Sequence, residues 1–184
     1  MSDPSTPITH ETIRGHIEQA TSDVFSTMVG LSIDPREMIL SRATPHYGVT
    51  ALLGLTGDWT GSGQVSCEPA LACAIAAQFM MSEYPEVNDE VLDAVGELAN
   101  MIVGNVKTSL ENDLGPMGLS TPVIISGPDF ETRVIGSPSW IAVPFECAAG
   151  AMMVQLVLSP GRRHAVRIRP QPAAAAEKEL AGVL

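Results

Sequence analysis

Between residues 93 and 105 the chain reads Asp93-Ala-Val-Gly-Glu97-Leu-Ala-Asn100-Met-Ile-Val-Gly104-Asn105, polar residues spaced through an otherwise apolar run. Glu97 supplies an anionic acceptor suited to pairing with a cation, and Asn100 an amide that donates one hydrogen bond while accepting another. Such an amide can hold a water in a fixed direction without acting as a base. The pair therefore suits a reaction governed by positioning and charge. Asp93, Glu97, Asn100 and Gly104 recur at alternating four- and three-residue steps, which on a helix aligns them in one stripe.

A helix is what the surrounding residues predict. On a wheel of ~100° per residue, Leu92, Val95, Ala99, Ile102, Val103, Val106 and Leu110 fall within about 100° of arc, a face to be buried. The polar stripe lies roughly 140° from the centre of that face and must meet solvent or a partner. Asn88 is a good N-cap, with Asp89 and Glu90 in the first turn where the positive helix end favours carboxylates, and Gly115-Pro116 ends the helix after Leu114.

Two further helices and a set of strands have to carry this one. Residues 10–31 place Ile13, Ile17, Ala20, Val24, Phe25, Met28 and Leu31 mostly at three- and four-residue steps, with Gly30 near the end. A shorter helix starts at Glu68-Pro69 and runs to about Met81. Strand-like runs at 37–42, 47–55 and 63–67 predict a small antiparallel meander, divided by Thr44-Pro45 and by residues 57–61. Further strands are expected at 120–126, 140–147 and 152–158, with a shorter one at 132–135. The expected fold class is α+β, an antiparallel or mixed sheet packed against a long amphipathic helix and two further helices. Residues 1–9 form a lead, 10–159 the domain and 160–184 a tail rich in Arg and Ala.

The run from Asp93 to Asn105 resembles the signature of the CheC/CheX/FliY phosphatase family: an Asp or Ser, then Glu, Asn and Gly-Asn at these intervals. All five positions match. The resemblance extends over roughly residues 10–158, taking in the first helix, the glycine-punctuated meander, the run Thr121-Pro-Val-Ile-Ile-Ser-Gly127 and the hairpin pattern of 145–158. CheC-like and FliY-like members typically carry a second Glu/Asn pair, often on the first helix. Here Glu11 is followed three residues later by Arg14, and Glu18 by Thr21, so the single site resembles the CheX type.

What the resemblance implies is an aspartyl-phosphate phosphatase acting on a phosphorylated CheY-like response regulator, in chemotaxis or another two-component system. Asn100 would position the attacking water and Glu97 would pair with the regulator's conserved lysine. Asp93, Gly104 and Asn105 would support docking. No cofactor of the protein's own is implied, because the divalent metal, Mg2+, belongs to the regulator, and the family expectation is a homodimer that extends the sheet between subunits. Asn105 reads as a hydrogen-bonding neighbour of a loop, and Gly104 as a close approach of either a packed element or the partner. The competing reading is a non-catalytic receiver-domain-binding adaptor or dimeric interaction module. An intact amide at the water position favours the enzyme.

Composition narrows the setting. A chain of 184 residues with 45% hydrophobic and 17% charged residues suits one globular domain. A formal net charge of -11 opposes nucleic-acid binding. The longest uncharged apolar stretch, 70–81, is too short to span a membrane, and residues 1–9 lack the features of a secretory signal, so a cytoplasmic protein is expected. Cys67, Cys73 and Cys147 are odd in number and lack CxxC spacing, which suits reduced thiols. His10, His16, His46 and His164 are too scattered for a metal site, Gly61-Ser-Gly63 reads as a hairpin turn, and Met80, Met81, Met152 and Met153 read as core filling. The tail concentrates Arg162, Arg163, His164, Arg167 and Arg169, and with Lys178 holds half of the ten basic residues. It reads as a solvated or weakly helical segment, with docking to an acidic partner as the alternative.

Overall fold

The period-two alternation of residues 49–67 becomes two paired strands, β2 (Val49–Gly57) and β3 (Trp59–Cys67), in a computed structural model that describes residues 8–40, 48–128, 130 and 139–161. Val49, Ala51, Leu53 and Leu55 of β2 point to one face and are buried. Register carries the row across the sheet: Leu53 lies opposite Gly63, Gly63 opposite Leu156 of β7 (Gly150–Pro160), and Leu156 opposite Ile141 of β6 (Ser139–Cys147). Val65, Val154 and Val143 form the next row with Ala51. One face of the sheet is thus a continuous apolar surface, and the helices lie on it.

The sheet is antiparallel and seven-stranded, in the order β1 (Asp34–Pro35), β6, β7, β3, β2, β4 (Met117–Leu119), with β5 (Val123–Ser126) also paired to β2. β4 and β5 divide the outer edge of β2, β4 taking residues 55–57 and β5 taking 49–52.

The helix layer begins with α1 (His10–Val24), whose N-cap Thr9 accepts from the Thr12 N–H at 3.1 Å. Its last turn widens into a π-helical turn, Phe25–Val29, and stops at Gly30 in the left-handed region with φ 69°. The second helix, α2 (Pro69–Met80), opens on proline, where no N–H is needed. The long helix, α3 (Asp89–Leu114), is capped by Asn88, whose side chain accepts from the Val91 N–H at 3.0 Å, and ends at Gly115.

α3 is the centre of the layer. It lies on β2 and β3 and is flanked by α1 and α2. Beyond Val95, Ala99, Ile102, Val103, Val106 and Leu110 it therefore also buries Val91, Ala94, Leu98 and Leu114, while Leu92 is only half-buried. Each fully buried Val, Leu or Ile among them contributes on the order of 1.5–3 kcal/mol relative to exposure, so α3 is fixed along nearly its whole length.

Several expectations are corrected. Residues 37–40 are not a strand: after the two residues of β1, the backbone hydrogen bonds to β6 among the described residues are Arg36 N–H to Pro144 O and an isolated bridge between Ile39 and Ala142. The third strand of the meander is β7, which pairs with β3 from Trp59 to Cys67 and draws Trp59–Gly61 into the sheet. Gly61-Ser-Gly63 consequently lies inside β3 rather than at a turn. A Cβ at Gly61 would stand 1.8 Å from Val157 O, so this glycine permits a close strand approach. The run at 120–126 is a strand only from Val123, and β4 precedes it. Arg42, His46, Tyr47, the expected strand at 132–135 and the tail from 162 lie outside the described residues.

Candidate functional site on the third helix

α3 presents its remaining free strip beside the β4–β5 edge. Asp93, Glu97 and Asn105 are exposed, and Asn100 and Gly104 half-buried, as the wheel predicts. Gly96, Asn100 and Gly104 follow at four-residue steps and stand one above another. A Cβ on Gly96 would meet Ile124 Cδ1 at 3.2 Å and Pro122 Cγ at 3.6 Å, and one on Gly104 would meet Leu119 Cδ2 at 3.8 Å. The segment from Leu119 to Ile124 thus forms a bank along this row, and Asn100 stands at its border with Glu97 on the open side.

The two glycines differ in kind. At Gly104 the added carbon would make an ordinary contact, so internal packing does not demand glycine there; at Gly96 it would be tight. Gly96 is a positioning residue that the sequence reading missed, although a glycine in mid-helix, costing up to ~1 kcal/mol against Ala, was its signal.

The bank is secured at the end where it enters. The Gly54 N–H donates to Ser120 Oγ at 2.8 Å and the Ser120 N–H to Gly54 O at 2.9 Å. Lys107 Nζ donates to Glu111 Oε1 at 2.7 Å and to Met117 O at 3.1 Å, while the Met117 N–H donates to Glu111 Oε1 at 2.8 Å. The hydrogen bond from Lys107, with that from Met117, holds the Glu111 carboxyl below the usual carboxylate range.

Electrostatically the strip is acidic, and among the described residues no unpaired cation faces it. Asp89, Glu90, Asp93 and Glu97 occupy the first half of α3. Glu90 accepts from Tyr84 Oη, which raises the Tyr84 phenol above its ordinary value. All three Lys and Arg side chains among the described residues are already in ion pairs, Arg14 with Glu18 and Glu11, Arg36 with Glu146, and Lys107 with Glu111. Among the described residues Glu97 and Asn100 make no side-chain hydrogen bond or ion pair. Both are free to engage something outside. Asn105 makes no side-chain bond to a loop among the described residues; its carbonyl accepts from Ser109 Oγ at 3.1 Å.

The site is a convex helix face. A groove does exist elsewhere, between α2 and the β6–β7 turn, lined by Asp34, Arg36, Gln78, Glu146 and Cys147 among others, but no residue of the α3 strip borders it. The cysteines are reduced in the structure, and burial pushes the Cys67 thiol up to about 12. Among the described residues no helix is long and apolar enough to cross a membrane. A carboxylate and an amide one turn apart on a helix fixed along most of its length are held in a set orientation for contact with a molecule outside.

Comparison with known proteins gives that arrangement a family. The model of the family described as chemotaxis phosphatase CheX matches residues 49–146, and the chain belongs to this family. The CheY-P phosphatase CheX of Thermotoga maritima is 31% identical over 93 residues, 50% of this chain, and the match spans 59% of that relative's length. Among solved structures, the chemotaxis protein CheX from Vibrio vulnificus superposes with a TM-score of 0.74 at 25% identity, covering 80% of this chain and 99% of that one. The fold is also that of a chain in the CheX-CheY-BeF3-Mg2+ complex from Borrelia burgdorferi, at a TM-score of 0.68 and 23% identity, covering 79% and 97%.

Proposed function

We propose that this chain hydrolyses the aspartyl phosphate of a CheY-like response regulator, with Asn100 positioning the attacking water and Glu97 pairing with a lysine of the regulator. The observation that carries the reading is the carboxylate of Glu97 and the amide of Asn100, without a side-chain partner among the described residues and one turn apart on a helix held on three sides. Support comes from the names of the Thermotoga maritima relative and of the Borrelia burgdorferi complex.

The chemistry asks little of this chain. Water attacks phosphorus, the bond from phosphorus to the aspartyl oxygen breaks, and the products are an aspartate carboxylate and inorganic phosphate. Phosphoryl transfer of this kind depends on in-line placement and charge stabilisation. The Asn100 amide accepts a hydrogen bond from the water through its oxygen and orients the amide group for a second contact through its nitrogen. Glu97 fixes the angle at which the helix enters. The divalent cation, Mg2+, and the neutralising lysine come from the regulator, so the chain brings no metal of its own. Asp93, Gly104 and Asn105 border the contact, Gly104 leaving room for the regulator's backbone. The protein works in the cytoplasm as a homodimer on this reading, since that is where phosphorylated regulators turn over and what the family resemblance implies.

The test is loss of phosphate from a CheY-like regulator after removal of the phosphodonor. Wild type accelerates the loss. Asn100→Ala removes about 10²-fold or more of the acceleration while still binding. Glu97→Ala weakens association by roughly thirtyfold, matching the ~2 kcal/mol lower bound for truncating one member of an interfacial charge pair. If regulators bind but none loses phosphate faster, the helix is a recognition surface without turnover and the enzymatic reading fails.

A further inference from the structure

An ion pair that stays in water is worth little, about fivefold in affinity or less, because solvent screens it and two long side chains must be held still. Glu97 is exposed in the free chain and has no side-chain partner among the described residues. For a contact with Glu97 to be worth roughly thirtyfold, docking has to take the carboxylate out of water. That requires apolar side chains around it.

Such side chains stand on both sides of the polar pair. On one side is the bank: a Cβ on Gly104 would meet Leu119 Cδ2 at 3.8 Å, one on Gly96 would meet Pro122 Cγ at 3.6 Å, and Leu119 and Pro122 are themselves half-buried. On the other side is Met101. At ~100° per residue it stands ~40° round the helix from Glu97, away from the bank and one turn further along. The residues that share this side of α3 with it, Asp93, Asn100, Gly104 and Thr108, are polar or glycine. Met101 packs in part against the core but is only half-buried, whereas Leu98 and Ile102 are fully buried. The core therefore does not account for its whole side chain. An unbranched thioether also adapts readily to the surface of a partner.

We propose that Met101 is a specificity-determining residue of this site: with Leu119 and Pro122 it closes round the Glu97 contact, so that α3 selects a regulator carrying an apolar side chain beside its lysine. The proposal rests on the phosphatase reading for the identity of the partner. A regulator with a polar or acidic residue beside that lysine leaves the ion pair wet and binds more weakly. Asn100 and the water it orients are untouched by the exchange, so Met101 governs affinity and not the rate of the bound complex.

The experiment compares wild type with Met101→Gln, which keeps the length of the side chain, and Met101→Leu, which keeps its apolar character. Calorimetry measures binding to a CheY-like regulator loaded with beryllium fluoride and Mg2+, phosphate loss from the phosphorylated regulator is followed at saturation, and urea unfolding shows that each variant is folded. Met101→Gln should weaken binding about tenfold and leave the saturated rate within about twofold of wild type, and Met101→Leu should restore binding. Glu97→Ala made in the Met101→Gln chain should cost about fivefold or less rather than roughly thirtyfold, because the pair is already wet. Binding of Met101→Gln within about twofold of wild type overturns the proposal. A lower saturated rate at unchanged affinity overturns it too, since Met101 would then support α3 rather than meet the regulator. An equal cost of Glu97→Ala in both backgrounds removes the desolvating role and the proposal with it. If wild type binds the regulator but removes no phosphate, the binding measurements still decide the role of Met101 and the phosphatase reading alone fails. If wild type binds no CheY-like regulator, both fail.

Discussion

Replacing Gly63 by alanine should move α3 without touching the candidate site. Gly63 faces α3 from β3, and a Cβ there would lie 2.5 Å from Val103 Cγ1, 2.8 Å from Cγ2 and 3.2 Å from Cβ. Ordinary contact starts near 3.4 Å, so about 1 Å of separation has to be found. Rotation of Val103 does not find it, since both γ-carbons obstruct and a β-branched side chain is stiff in a helix. The fully buried Val103 has neighbours on every side. What gives way is the spacing of α3 from the sheet, at a cost of about 1–3 kcal/mol, offset in part by the ~0.5–1 kcal/mol that removing a strand glycine contributes. Val103 is less than one turn from Asn100, so the lift reaches the amide, and a misplacement of about 1 Å reduces turnover about 10²-fold. Urea unfolding gives the first quantity and decay of phosphorylated regulator the second. The decisive variant is Gly63→Ala with Val103→Ala, in which the new methyl occupies the space the valine vacates. Its destabilisation should be smaller than the sum of the single changes by about 1–3 kcal/mol, and turnover should recover. Additive destabilisation, or a Gly63→Ala protein within about 0.5 kcal/mol of wild type, would refute the claim that this glycine sets the height of α3.

Two other expectations concern the ends of the same helix. Asn88→Ala removes the side-chain acceptor for the Val91 N–H and should cost about 1 kcal/mol in urea unfolding, whereas Asn88→Asp should cost far less. At the other end, the depressed Glu111 carboxyl stabilises the fold at pH values above the ordinary carboxylate value of 4.5, and this contribution disappears as pH falls below 4.5 through the folded-state value. Glu111→Gln should therefore flatten the acid limb of the stability-pH profile measured by thermal unfolding; an unchanged limb would exclude Glu111 as its source.

The limits of sequence reading follow from the range over which each interaction acts. Asn88 and Gly115 bound α3 where the residues predict, because capping is settled within a few neighbours. The exposure of Asp93 and Glu97 was legible for the same reason: a helix's period is local. The second buried face, with Val91, Ala94 and Leu98, was not, because it exists only where α1 and α2 close over α3. β4, three residues long, is a strand only through its pairing with the end of β2, and residues 37–40 look like a strand but along most of their length have no strand partner among the described residues. At the site, the wheel located Glu97 and Asn100, yet the roles of Gly96 and the Leu119–Ile124 bank depend on residues 15 to 28 positions away, from Gly104 with Leu119 to Gly96 with Ile124.

The narrowness of α3's free strip has an evolutionary reading. Core packing constrains most of the helix, so substitutions there register first as lost stability. Thr108 and Asn112, exposed and outside the core, sit under no such constraint. Two requirements thus fall on separate faces of one helix: the buried faces set its seat on the sheet, and the exposed strip sets what it can contact. A lineage could re-target this surface by drifting a few polar letters while the scaffold beneath stayed unchanged.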